Sequence, residues 1–204
     1  MPEDNELKRR VAREAATLLY FGAEKEYKQA KDKAAQTLGT HFLPSNLEVA
    51  LELDKIAEEN EGDRRKTRLI EMRQEALDVM HLLSAYSPVL IGSVWRGTIK
   101  VGSDIDVAVY TDDLESILTV LKAGGVEVTR TGWRTVNKRG ATLESFHIYA
   151  QTPLRHGLEI VARSTEEAGK KRRCETFGDE LKGLTIKELE RTLQTNPAQQ
   201  FIPQ

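Results

Sequence analysis

The chain has 204 residues, with 30 basic and 32 acidic side chains, so its formal net charge is only -2. This balance excludes a generally cationic nucleic-acid coat, and any polyanion must be bound by a local basic patch. The single cysteine, Cys174, excludes an intramolecular disulfide framework and suits a reducing cytoplasm. No apolar run is long enough for a membrane span or a secretory signal. We therefore expect a soluble, cytoplasmic protein with one globular domain and a smaller appendage.

The start of the chain has the apolar periodicity of a helix. This pattern covers residues 5 to about 37, and Gly22 is expected to bend or interrupt the helix. Several lysines and two tyrosines along it could face RNA, although the interleaved acids favour an ordinary solvated face. These residues are Tyr20, Lys25, Tyr27, Lys28, Lys31 and Lys33.

Two further helices are predicted before the first strand. Ser45 and Glu48 have the spacing of a capping box, which predicts a helix that runs to about residue 60. The apolar spacing predicts another helix over residues 63–86. The expected division is an N-terminal helical region over residues 1–62 and a catalytic region over residues 63–204.

A short buried strand, a glycine turn and a strand with two acids come next. The apolar run Val89-Leu90-Ile91 stops at Gly92, where the absent Cβ permits a tight turn. Asp104 and Asp106 are two residues apart in a strand, so their side chains point to the same face with Cα atoms about 6–7 Å apart. Two carboxylates at this spacing suit a hard divalent cation such as Mg²⁺ or Mn²⁺. A solvated rim with basic partners is the alternative.

The residues Gly92-Ser93-Val94-Trp95-Arg96-Gly97-Thr98 and Gly102-Ser103-Asp104-Ile105-Asp106 form one combined motif. This motif resembles the signature of the DNA polymerase β-type nucleotidyltransferase superfamily, as found in minimal nucleotidyltransferases and archaeal CCA-adding enzymes. The resemblance implies an α+β (mixed α/β) fold, with a small mixed sheet flanked by helices. It also implies that Gly92 and Ser93 contact a nucleotide triphosphate, and that Asp104 and Asp106 bind two Mg²⁺ ions.

The family also needs a third acid on a neighbouring strand. Glu159, in Leu158-Glu159-Ile160-Val161, fits this setting best and is our predicted third catalytic and metal-binding residue. Glu144 is the competitor, although it would share a strand face with Phe146. Arg96 and Lys100 are the cations predicted to bind the nucleotide and neutralise charge in the transition state.

The rest of the chain is predicted to alternate short helices and strands. The expected elements are a helix over 114–122 behind an N-cap at 111–113, a strand over 126–128, a turn over 137–140, a strand over 142–151, helices over 165–177 and 185–193, and a loose tail over 196–204.

Some basic residues in this part have two open interpretations. A stretch predicted to connect two strands could contact a ribose-phosphate or a base, or could be an exposed hairpin. It contains Arg130, Trp133, Arg134, Lys138 and Arg139. Lys170 or Lys171 is a candidate for the triphosphate, although a solvated helix surface fits better. His147 could face the site, although a structural histidine is the favoured interpretation.

These features predict a Mg²⁺-dependent nucleotidyltransferase that transfers a nucleoside monophosphate from a nucleoside triphosphate, such as ATP, to a hydroxyl and releases pyrophosphate. The acceptor stays open between an RNA 3′ end, a protein hydroxyl and a small molecule, as does the oligomeric state. The alternative is a non-catalytic nucleotide-binding, RNA-binding or regulatory (antitoxin-like) module, in which Glu159 would not face the aspartates. A pure interaction scaffold would leave the aspartate pair unexplained.

Overall fold

The structure is a computed structural model that describes residues 2–138 and 141–203. The chain forms two compact units. The first contains the chain up to Arg65, Arg173–Glu180 and the end from Ile202, and the second contains Lys66–Arg172 and Leu181–Phe201. The division at residues 62 and 63 that we expected from the sequence stays a prediction.

The first unit is helical in its described part, with α1 (Pro2–Tyr20), α2 (Tyr27–Thr37) and α3 (Asn46–Glu61). Gly22 lies between α1 and α2 with a left-handed φ of 73°, so the helix expected over residues 5–37 is interrupted there. The predicted capping box is confirmed, because Glu48 N–H donates to Ser45 Oγ and Ser45 N–H donates to the Glu48 carboxylate. Small buried side chains let the helices approach closely, among them Ala12, Ala15, Ala16, Ala30, Ala34 and Ala35.

A mixed sheet is the centre of the second unit, which confirms the predicted fold class. In the described residues its strands are β1 (Val89–Ile91), β2 (Ile105–Tyr110), β3 (Glu127–Lys138), β4 (Ala141–Gln151), β5 (Gly157–Arg163) and β6 (Leu184–Thr185). Their order across the sheet is β3-β4-β5-β2-β1-β6. Strands β2 and β5 are parallel, and the other neighbouring pairs are antiparallel.

One face of this sheet is apolar and is covered by helices. The helices of the unit are α4 (Asp63–Leu82), α5 (Gly92–Arg96), α6 (Leu114–Ala123) and α7 (Ile186–Thr195). Val107 and Ile160, from neighbouring strands, belong to one buried cluster with Met80 of α4, Leu121 of α6 and Leu189 of α7. Burial of these side chains contributes about 1.5–3 kcal/mol each. Among the described helices, none is both long enough and apolar enough to cross a membrane.

Residues next to the helix predicted over 114–122 explain where it begins and where it ends. Asp113 is the N-cap of α6, because its Oδ1 accepts a hydrogen bond from Ser116 N–H at 3.1 Å. The helix ends at Ala123, before the Gly124-Gly125 pair. The last predicted helix is also confirmed as α7, which begins with a capping box of Thr185 and Glu188.

The predictions of a connecting stretch from Arg130 and of a helix over 165–177 are wrong. The basic stretch from Arg130 is part of strand β3, which continues to Lys138, and is not a connection. The hairpin that we left open as an interpretation is present, because β3 pairs antiparallel with β4. The helix expected over 165–177 is replaced by a 3₁₀ turn, Thr165–Glu167, since Gly169 adopts a left-handed φ of 74° that ends helical geometry. The turn predicted over 137–140 falls partly outside the described residues.

Arg73 is fully buried in α4 and binds two separate segments of backbone. Its guanidinium donates to the carbonyl oxygens of Val94 and Trp95 in α5, at 3.1 and 2.9 Å. It also donates to the carbonyls of Pro197 and Gln199, at 2.7 and 2.8 Å. The expected loose tail is therefore ordered up to Phe201, because residues after 196 accept hydrogen bonds that the sequence pattern could not predict. Burial lowers the pKa of Arg73 to about 10, so the side chain stays charged at neutral pH.

We predict that Arg73→Met lowers the free energy of unfolding by about 3–5 kcal/mol, because a buried charged donor to four backbone carbonyls is lost. Arg73→Lys should have a smaller effect, since it keeps the charge but not the planar fork of donors. Chemical denaturation measures both values. Arg191→Met, on the exposed side of α7, is the matched control and should change stability by about 0.5 kcal/mol or less. A loss below about 1 kcal/mol for Arg73→Met would contradict the structural role.

Candidate active site

Three acidic side chains lie on the sheet face opposite the apolar one. The parallel register pairs Asp106 of β2 with Glu159 of β5, and paired residues share a face. Asp104 lies just before β2, close enough to both acids that its charge helps raise the pKa of Asp106 and the charge of Glu159 helps raise its own. We call this side of the sheet the acidic face. Glu144 pairs with Thr135 and alternates to the other face, whereas Tyr149 pairs directly with Glu159.

Two glycines leave room for the two aspartates. A Cβ added at Gly92 would lie 2.9 Å from Asp106 Cγ and closer still to Oδ2. A Cβ added at Gly157 would likewise lie 2.9 Å from Asp104 Cγ. Gly92 reaches this position because Ile91, just before it, pairs with Asp106 across the antiparallel β1–β2 ladder. The sequence motif indicates Gly92, whereas sequence spacing does not distinguish Gly157 from an ordinary turn residue.

The three carboxylates repel one another. Burial raises the pKa of Asp106 to about 7, and the nearby charges of Glu159 and Asp104 contribute in the same direction. Burial, and then the charge of Glu159, also raise the pKa of Asp104. Like charges that lie close together favour the protonated form of a carboxyl group, so both pKa values rise.

The Glu159 carboxylate is held from the side by His147 of β4. His147 Nδ1 lies 2.5 Å from Glu159 Oε1, and its Nε2 lies 2.8 Å from Ser145 Oγ. An ionised carboxylate only accepts, so Nδ1 donates to Glu159. Arg134 Nη2 is 3.8 Å from the same Glu159 oxygen. His147 is 8% exposed, which agrees with the structural role we expected, but its partner is a site residue.

This geometry accompanies a match to a known family. Residues 75–192 match the family model described as a nucleotidyltransferase domain, and they contain both aspartates and Glu159. The chain belongs to the nucleotidyltransferase domain family. The resemblance seen in the sequence is thereby confirmed.

Two solved structures are similar to parts of this chain. One is a cytoplasmic RNA terminal U-transferase, with 18% identity, a TM-score of 0.33, and coverage of 53% of this chain and 34% of the other. The second is a GLD-2/RNP-8 complex, with 13% identity, a TM-score of 0.33, and coverage of 60% and 38%. The chain thus spans little more than a third of those chains. No curated protein matches it.

The donor atoms of the acidic face fit a hard divalent cation. Asp104 and Asp106 offer only carboxylate oxygens, and a cation would relieve the repulsion that raises the pKa of Asp106. Glu159 contacts His147 instead. In the part of the chain that the structure describes, no three His, Cys, Asp or Glu side chains are arranged so that they could hold a metal ion. The aspartates are therefore the better-placed pair, and Glu159 contributes charge.

The four predicted nucleotide-binding residues have different surroundings. Gly92 and Ser93 begin α5 beside Asp106, so the structure brings them to the acidic face. Arg96 is 3% exposed, and its Nη1 donates to the Phe201 carbonyl at 2.9 Å. This guanidinium is therefore already hydrogen-bonded to the C-terminal segment. Lys100 Nζ donates to the Val101 carbonyl at 3.3 Å within its own turn.

Lys170, one of the two lysine candidates after the third acid, is exposed, as the favoured solvated-surface interpretation expected. Lys170 Nζ lies 2.5 Å from Glu167 Oε1, and Arg172 pairs with the same carboxylate. The local charges of this turn are therefore paired with each other. Nothing in these contacts directs Lys170 toward the acidic face.

We predict that Gly92→Ala lowers nucleoside triphosphate turnover by about 100-fold, because a displaced Asp106 misplaces the reacting groups. Gly102→Ala is the matched control: Gly102 has a similar φ of 78°, but an added Cβ would meet no atom within 4 Å. Both substitutions should lose about 1–2 kcal/mol of stability from backbone strain. Equal turnover in the two variants would show that the space beside Asp106 is unimportant.

We predict that Mg²⁺ stabilises the protein more at about pH 8 than at about pH 5.5. The folded-state pKa of Asp106 is raised from 3.8 to about 7, so the metal-free protein binds an extra proton between these pH values. Its free energy of unfolding therefore falls as pH rises through this range. A cation that binds the ionised carboxylates restores the lost stability. Melting temperatures with and without Mg²⁺ measure the effect, and Asp106→Asn should remove its pH dependence.

Proposed function

We propose that the protein is a Mg²⁺- or Mn²⁺-dependent nucleotidyltransferase that moves a nucleoside monophosphate from a nucleoside triphosphate to a hydroxyl acceptor. The observation that supports this most strongly is the β2–β5 register, which puts Glu159 beside Asp106 on the face that Gly92 borders. The proposal includes a reducing, cytoplasmic setting, to which the single Cys174 is suited.

Different residues of the site are assigned to the nucleoside triphosphate, the cation and the acceptor hydroxyl. Gly92 and Ser93, at the start of α5, offer backbone N–H groups and a hydroxyl to the triphosphate. Asp104 and Asp106 would hold the divalent cation, which supplies charge stabilisation for the phosphoryl oxygens and the departing pyrophosphate. Glu159, oriented by His147, is the third acid and is assigned to receive the proton of the acceptor hydroxyl.

The bonds that change are the same whatever the acceptor. A bond forms between the acceptor oxygen and the α-phosphorus, and the bond between the α-phosphorus and the pyrophosphate oxygen breaks. The acidic face must therefore accommodate the donor and the acceptor on opposite sides of the α-phosphorus, in line with each other.

A second candidate is a non-catalytic nucleotide-binding module that retains the fold. The contact between Glu159 and His147 favours it, because within the described residues this third acid is not gathered with the aspartates as a ligand set. Such a protein would bind a nucleoside triphosphate without turnover.

We predict that Asp106→Asn lowers transfer by about 1,000-fold or more, since a lost metal ligand costs about 4 kcal/mol or more in the transition state. Each labelled nucleoside triphosphate is incubated with Mg²⁺, cellular RNA and cellular protein, and label transfer and pyrophosphate release are followed.

The matched control is Asp112→Asn, which changes an exposed acid that accepts a hydrogen bond from Thr165. It should keep full activity. The fold of Asp106→Asn should be intact, because it removes a buried charge. Transfer by Asp106→Asn at the native rate would refute the proposed function, and nucleotide binding without turnover by the native protein would favour the non-catalytic module.

A further inference from the structure

A basic and aromatic group lies on the acidic face, on the strands beyond Glu159. Tyr149 of β4 pairs with Glu159, and Arg130 of β3 pairs with Tyr149. Arg134 pairs with Ser145, four residues from Tyr149, so alternation puts it on the same face. We call Arg130, Arg134 and Tyr149 the Arg-Tyr group. Trp133, from the same basic stretch, contacts Phe146 on the other face and is not part of it.

The Tyr149 ring holds both guanidinium groups. Arg130 Cζ is 4.2 Å from the ring centroid and Arg134 Cζ is 5.7 Å from it. Arg134 Nη2 also donates to the Tyr149 hydroxyl. These contacts hold the two guanidinium groups in place before an anion binds. Binding would therefore cost little further side-chain entropy, as a preformed anion site requires.

The charge of the Arg-Tyr group is incompletely neutralised. Arg134 has one carboxylate near it, Glu159 at 3.8 Å, and its side chain is 57% exposed. Arg130 is exposed, and among the described residues no carboxylate lies within ion-pair distance of it. In a protein with a net charge of -2, two adjacent exposed guanidiniums beside an acidic centre are a local anion-binding feature.

The strand order places this group opposite the proposed triphosphate site. Across the sheet, β1 with Gly92 at its end lies on one side of β2, and β5, β4 and β3 follow on the other. Asp106 and Glu159 are therefore between Gly92 and the Arg-Tyr group. Because in-line transfer separates the leaving pyrophosphate from the attacking hydroxyl, the Arg-Tyr group is on the acceptor side.

We propose that Arg130, Arg134 and Tyr149 bind the backbone phosphates of a single-stranded nucleic-acid acceptor next to its terminal hydroxyl. Guanidinium groups pair with phosphate through two parallel hydrogen bonds, and exposed aromatic or guanidinium planes stack on unpaired bases. A protein or small-alcohol acceptor would have no repeated phosphate for two cations. The role of this nucleic acid as an acceptor rests on the proposed transfer activity, whereas its binding does not.

The test measures binding of an end-labelled single-stranded RNA without nucleoside triphosphate, over a series of salt concentrations. Arg130→Gln/Arg134→Gln should raise the dissociation constant at least tenfold. It should also reduce the slope of log affinity against log salt by about 1.4, or about 0.7 for each lost phosphate contact. Lys122→Gln/Lys187→Gln removes the same charge from exposed positions on α6 and α7, over the apolar face, and should change neither value.

Further variants separate phosphate binding from an indirect effect through Glu159. Arg130→Gln alone should weaken RNA binding, because Arg130 contacts the Tyr149 ring and not the acid. In transfer assays the double variant should raise KM for RNA and leave KM for the nucleoside triphosphate unchanged.

Unchanged RNA affinity in the double variant would overturn the inference. A raised KM for the triphosphate with unchanged RNA binding would also overturn it, since the group would then serve the donor. Efficient transfer to a protein hydroxyl by the double variant would overturn it while leaving the proposed function intact. Arginine-dependent RNA binding without any transfer would support the binding site and refute both the acceptor role and the proposed function.

Discussion

Repulsion among three carboxylates is the constraint around which the second unit is arranged. The parallel pairing of β2 with β5 forces Asp106 and Glu159 together, and burial raises the pKa of Asp106 to about 7. A fold selected for stability alone would place apolar side chains there, because buried like charges are costly. The surrounding residues relieve the repulsion on one side only, where His147 donates to Glu159.

The glycine turn depends on a distant buried cation. Gly92 must keep its position beside Asp106, yet α5 is only five residues long and cannot hold itself in place. Arg73 supplies the constraint, because it binds the carbonyls at the end of α5 and those of the C-terminal segment together. The same segment packs against Gly97, where an added Cβ would lie 2.8 Å from the Gln199 carbonyl oxygen. The site therefore relies on hydrogen bonds between residues more than 100 positions apart.

Local patterns in the sequence predicted the elements but not their long-range partners. The capping boxes and the Asp104–Asp106 alternation depend on residues within a few positions, so sequence spacing was sufficient. The ordered tail, the role of Gly157 and the contact of His147 with Glu159 depend on strand register and on Arg73. Spacing alone does not specify which strands pair. The helix over 165–177 was wrongly expected because its charged pattern is compatible with a helix. The left-handed backbone of Gly169 ends helical geometry there.

Two side chains, His147 of β4 and Arg134 of β3, lie beside the Glu159 carboxylate. A bound cation would compete with both of them for this carboxylate. In this structure the carboxylate accepts from His147 and lies near Arg134, which itself contacts Tyr149. A hydrogen bond to a charged group is worth about 1.5–3 kcal/mol, so a cation that recruits Glu159 must offset that loss. A phosphate bound by Arg134 would draw the guanidinium away from Glu159 and leave the acid more negative. Acceptor binding and metal binding would then favour each other, because each removes a contact that opposes the other.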